Sequence, residues 1–205
     1  MCEAGCCEIV VLALNHFQYD EDIRHFGCEV VANLAQRVPE NQSVLGKAGA
    51  CSAVISVMRA SPDNEAVQKY CCIAVAALAK GNEMNQNRLI KCGADFGIKS
   101  ALRIHTAAVI LWASYAIYFL AKENKHNRDR LHDNGIRNVM DLATESLMRN
   151  DSDSNTQSKE TKDALKWAKK AKAMIAPTLK STVKRLTLHQ AGTIFRQKKG
   201  LPSPM

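Results

Sequence analysis

AVQKYCCIAVAALAKGNEMNQNRLIKCG, residues 66–93, decides the fold of this 205-residue chain, because its pattern recurs on both sides of it. Its last residue, Gly93, has counterparts at Gly5, Gly49 and Gly135, so the steps are 44, 44 and 42 residues. Three of these glycines are preceded by matching columns. Asn41, Asn85 and Asn127 stand eight residues before them, and Leu45, Leu89 and Leu131 stand four before. Leu34-Ala35, Leu78-Ala79 and Leu120-Ala121 stand fifteen and fourteen before. Self-similarity at this period marks a repeat array in which each unit buries its apolar face against its neighbours.

Each unit reads as three helices. After the glycine, apolar residues recur at offsets of four, five, eight and nine (Ala53, Val54, Val57 and Met58 in the second unit), which is one face of a helix. A polar break such as Ser61-Pro62-Asp63 follows, and then a long third helix, expected at about 22–37, 64–80 and 105–123. A short first helix of the next unit, expected to begin at Asn41, Asn85 and Asn127, leads to the following glycine, which suits a left-handed helix-ending conformation.

This pattern resembles the armadillo repeat of the β-catenin and importin-α families. The residues that carry the resemblance are Val67-Gln68, the small Cys71, the run from Ala74 to Ala79, Asn85 and Arg88 at the short helix, and Cys92-Gly93-Ala94. The resemblance implies an all-α fold, an α-solenoid wound as a right-handed superhelix of about three to four three-helix repeats. It covers about residues 5–149, and the repeat domain is taken as 1–149, with the first unit truncated at its start. A polar loop (150–158), a divergent capping helix (159–176) and a basic tail (177–205) follow.

Composition narrows the functional classes. The apolar fraction of 46% suffices for a core, and few aromatics with many alanines suit closely spaced helices. The net charge of +8 is unevenly placed: 16 Lys/Arg balance 16 Asp/Glu through residue 150, whereas 151–205 carry 12 against 4. The eight cysteines form no CxxC pair, and several share repeat columns (Cys7 with Cys51, Cys28 with Cys72). They read as reduced, small core residues and not as metal ligands, which places the chain in the cytoplasm or nucleus. The longest apolar run, Ala107 to Ala121, is shorter than the roughly 20 residues of a spanning helix. His16, His25, His105, His126, His132 and His189 fall in different columns, and no phosphate loop, HExxH or GxSxG motif occurs. No catalytic residue, metal or cofactor is expected.

In the armadillo family the third helices line a concave groove that binds extended peptides. The columns that the resemblance places there are Phe26, Tyr70 and Trp112; Glu29, Ile73 and Tyr115; and Asn33, Ala77 and Phe119. Importin-α-like proteins place Trp in the second column and Asn in the third; only Asn33 matches. The expected partner is therefore an apolar or amphipathic protein segment and not a basic signal. Packing between repeats is the other reading of these aromatics. The expected function is a non-enzymatic scaffold or adaptor. Attachment of the basic tail to anionic membrane or nucleic acid, or a regulatory segment within a larger enzyme, are the alternatives. Because 107–121 is apolar all round, its groove face should be covered, and part of 177–196 folding back across it as an intramolecular ligand is one candidate.

Overall fold

A computed structural model describes residues 5–150 and 158–176. Among the described residues it is all-α: eleven α-helices, one 3-10 turn and no strand. The first layer holds α1 (Cys6–His16) and α2 (Glu21–Arg37). The second holds α3 (Pro39–Ala48), α4 (Ala50–Ala60) and α5 (Glu65–Ala79). The third holds α6 (Glu83–Cys92), α7 (Ala94–Ala101), the 3-10 turn Leu102–Ile104 and α8 (Ala107–Ala121). The fourth holds α9 (Lys125–Asp133), α10 (Ile136–Asn150) and α11 (Lys159–Met174). The long helices α2, α5, α8 and α11 lie side by side, so the array is a solenoid of stacked layers.

Local chemistry sets the helix ends. Side chains of Asp20, Asn64, Asn82, Thr106, Asn124 and Ser158 each accept a hydrogen bond from the backbone N–H three residues on, which satisfies an otherwise orphaned donor. Gly49 (φ 98°) and Gly93 (φ 90°) close α3 and α6 in the left-handed region. Between layers the core is aliphatic: Leu78, Leu89, Ile98, Ile117, Leu120 and Leu131 are all inaccessible to solvent.

The short helices depart from expectation, for α3, α6 and α9 begin two residues before the asparagine column. With Asn82 and Asn124 taking the cap, the column asparagines turn back to the preceding long helix. Asn41 Nδ2 donates to the Leu34 carbonyl (3.2 Å), Asn85 to Leu78 (3.2 Å) and Asn127 to Leu120 (3.1 Å). These are C-terminal carbonyls that no helical N–H reaches. Asn85 also donates across the layers to the Gln42 carbonyl (2.7 Å), and the approach is so close that a Cβ on Gly46 would fall 1.9 Å from Asn85 Oδ1. Asn85→Ala is expected to cost about 2 kcal/mol, because it strands the buried Leu78 carbonyl and removes the bond across the layers to Gln42; a denaturant titration reads it directly, and an unchanged midpoint would contradict the structural role.

Cys7, Cys28, Cys51, Cys71 and Cys72 are buried free thiols and Cys92 a half-buried one. Cys28 and Cys71 bring their sulfurs to 3.6 Å between α2 and α5. Cys6 is disulfide-bonded, which corrects the expectation of a wholly reduced set; it is half-buried at the first turn of α1 and not packed between layers. Burial pushes the Cys51 and Cys72 thiols up to about 12. Attack requires the thiolate, so alkylation at pH 8 should label Cys92 in the native protein and reach Cys51 and Cys72 only on unfolding. Equal labelling rates, read by mass spectrometry, would overturn that order.

Candidate partner-binding face

The exposed sides of α2, α5, α8 and α11 form one continuous face, and the nine expected groove residues fall on the first three of these helices. Phe26 and Asn33 are exposed, and Glu29 is half-buried. Tyr70 and Ile73 are half-buried, whereas Ala77 is buried and contributes only floor. Burial pushes the Tyr70 phenol up, and the adjacent charge of Glu29 with its hydrogen bond adds to the shift. The His25 ring packs against Tyr70 at 4.8 Å, and Lys69 Nζ sits 4.6 Å from the Tyr70 centroid.

The aromatic density rises in the third layer. Trp112, Tyr115 and Phe119 are each half-buried and form a run down α8, with centroids 5.1 Å and then 6.2 Å apart. Their spacing of three and four residues puts them on one side of the helix. What partly covers them was not anticipated. Trp167 of α11 stacks on Tyr115 at 3.7 Å and meets Tyr118 edge-on at 5.7 Å. Lys170 Nζ then lies 4.2 Å from the Trp167 ring and 4.6 Å from Tyr118, within cation–π range. Burial raises the Tyr115 phenol, with the charge of Asp163 contributing. The suggested covering segment, 177–196, lies outside the described residues.

Sequence reasoning passed over Trp167 and Lys170. The polar insertion before α11 lengthens the fourth unit, so the step that aligns Leu120 with the buried Ala171 is 51 residues. At that step Trp167 falls in the column of Ala74 and Ala116, which faces the preceding layer. An alignment allowing the longer step would have exposed it.

Among the described residues no three His, Cys, Asp or Glu side chains could hold one metal ion, and no helix is long and apolar enough to cross a membrane.

No protein-family model matches the chain, and no curated protein does. Solved structures do. A designed armadillo repeat protein superposes with a TM-score of 0.64 at 27% identity, over 82% of this chain and 65% of its own length. Computationally designed armadillo repeat proteins for modular peptide recognition match equally well, with a TM-score of 0.64, 25% identity and the same shares. A further designed armadillo repeat protein, solved in complex with the peptide (KR)4, matches with a TM-score of 0.59 and 22% identity over 82% of each chain. The molecule is an all-α solenoid of repeats. Those repeats are armadillo-like.

Proposed function

We propose that this chain is a non-enzymatic scaffold or adaptor of the cytoplasm or nucleus that binds an apolar or amphipathic segment of a partner protein along the face of α2, α5 and α8. The observation that carries the reading is the half-buried aromatic run Trp112, Tyr115 and Phe119, continued by Tyr70 on the next helix. Rings held by stacking supply large contact area with little conformational freedom left to lose. The peptide-bound designed relative supports a peptide as ligand in kind. A basic ligand such as (KR)4 fits this face poorly, since Lys80 and Lys170 stand over its rings.

The test is selection from a random peptide library, followed by anisotropy measurements on the winners. Trp112→Ala is expected to weaken them at least about tenfold, as loss of a central aromatic anchor does. Ligands that bind the Trp112→Ala protein unchanged, with Tyr115→Ala also neutral, would remove the groove from consideration.

A further inference from the structure

Charge is spread unevenly along the candidate face. Of its four long helices, α2 carries three Asp/Glu and two Arg, α5 one Glu and one Lys, and α8 no charged residue at all. By contrast, α11 carries six lysines against Glu160 and Asp163. Lys159, Lys162, Lys166, Lys169 and Lys170 are exposed, and their spacing of three and four residues gathers them on one side of the helix. Among the described residues none of these five pairs with a carboxylate; Lys172 does, with Asp141 at 2.7 Å.

Two of the five adjoin the aromatic run. Lys170 Nζ lies 4.2 Å from the Trp167 ring, which stacks on Tyr115, and Lys166 stands one turn before it. Lys80 approaches the same run from the end of α5, with its Nζ 5.9 Å from the Phe119 centroid. The charge of the half-buried Asp163 acts on the Tyr115 phenol. The rest of the chain adds to the surplus, for 177–205 carry six Lys/Arg and no Asp or Glu. An uncharged, ring-rich surface on α8 therefore gives way to an uncompensated basic one on α11.

We infer that the partner segment is apolar where it crosses α8 and acidic where it reaches α11, its Asp and Glu side chains meeting Lys166 and Lys170. This rests on the partner-binding reading of the face and adds the charge of the segment and the order of its parts. Exposed lysines and carboxylates attract without being stripped of water, so they contribute more to selectivity and encounter rate than to affinity. Other anions fit less well. A nucleic acid bears a phosphate at every step and would carry several across the uncharged α8, and a bilayer presents one charged plane to both helices. A polypeptide changes from apolar to acidic within a few residues.

The test starts from peptides selected from a random library on the wild-type protein. Anisotropy titrations compare each peptide with a copy in which Asp and Glu are replaced by Asn and Gln. Acidic peptides should bind at least about fivefold more tightly than their amide copies at low salt, and the gap should narrow as salt rises. Lys166→Gln/Lys170→Gln, at exposed positions, should weaken the acidic peptides by a similar factor and leave the amide copies unchanged, so that the two losses do not add. Trp112→Ala should weaken acidic and amide peptides alike. Peptides that depend on Trp112 but are as often neutral or basic as acidic, or that ignore the lysine variant, overturn this inference and leave the reading of the face standing. Peptides indifferent to both Trp112→Ala and Tyr115→Ala, or a library that yields none, remove the two together. Oligouridine or phosphatidylserine vesicles bound through these lysines more tightly than any selected peptide would also overturn it.

Discussion

Replacing Leu78 with alanine is expected to lower the unfolding free energy by about 3 kcal/mol, within the range for large-to-small changes in well-packed cores. Leu78 is fully buried on α5, the long helix flanked by α2 on one side and α8 on the other. The lost methyl groups would leave a cavity that neither neighbour can close without abandoning its own register. In a short array each layer depends on the next, so the loss should lower the whole transition instead of splitting it. Urea titration measures the shift. Asn33→Ala, on an exposed site, should stay within about 0.5 kcal/mol of wild type. A Leu78→Ala protein that melts like wild type would place that column outside the core.

Arg130→Met should be comparably damaging for an electrostatic reason. Asp95 is fully buried on α7, accepting from Arg130 Nε at 3.0 Å and from Asn134 Nδ2 on the fourth layer's side. Both bonds go to Oδ2, and the buried Oδ1 has no hydrogen-bond partner. Without the guanidinium the carboxylate stays buried and uncompensated, a loss of about 3 kcal/mol, at the low end for broken buried pairs because Arg130 is itself 37% exposed. The sharper measurement is the double variant. Arg130→Met/Asp95→Asn buries no charge and should recover part of the stability; strictly additive losses would mean that the two groups do not act as a pair.

Much of the fold could be read from spacing. Glycines 44 residues apart fix where units join, and Leu34, Leu78 and Leu120 fix which side of each long helix is core. The asparagine column was visible but its work was not. Asparagine suits a helix start, and only coordinates reveal that Asn85 spends its side chain on the preceding helix while Asn82 caps its own. The aromatic columns on α5 and α8 could likewise be named, because periodicity assigns a residue to a side of a helix. The stacking of Trp167 on Tyr115 could not, since it joins residues 52 positions apart across an irregular insertion. The buried pair Asp95 with Arg130 escaped for another reason: Arg130 repeats Arg88, but Asp95 stands where Cys7 and Cys51 stand in the earlier units, so periodicity gives the arginine column no charged partner.

The hydrogen bonds at the ends of the long helices have a mechanical meaning. Gln42 of α3, which follows directly on α2, reaches the carbonyls of Ala77 (2.9 Å) and Lys80 (3.2 Å) at the end of α5, and Gln86 of α6, which follows on α5, bridges Ala79 (3.2 Å) to Phe119 (2.8 Å) and Lys122 (3.2 Å) at the end of α8, so neighbouring long helices are tied together where they end. At the other ends of the long helices Arg24 of α2 donates to the Ala60 carbonyl and Ser61 Oγ beside α5, whereas among the described residues no hydrogen bond joins the start of α5 to that of α8. Directional bonds resist shear, whereas apolar surfaces slide and tilt. Load applied along the solenoid should therefore make it flex like a book about its spine, the glutamine seam acting as the axis. The opening edge would lie at the start of α8, beside Trp112, so a ligand that wedges against that ring would set the curvature of the spring.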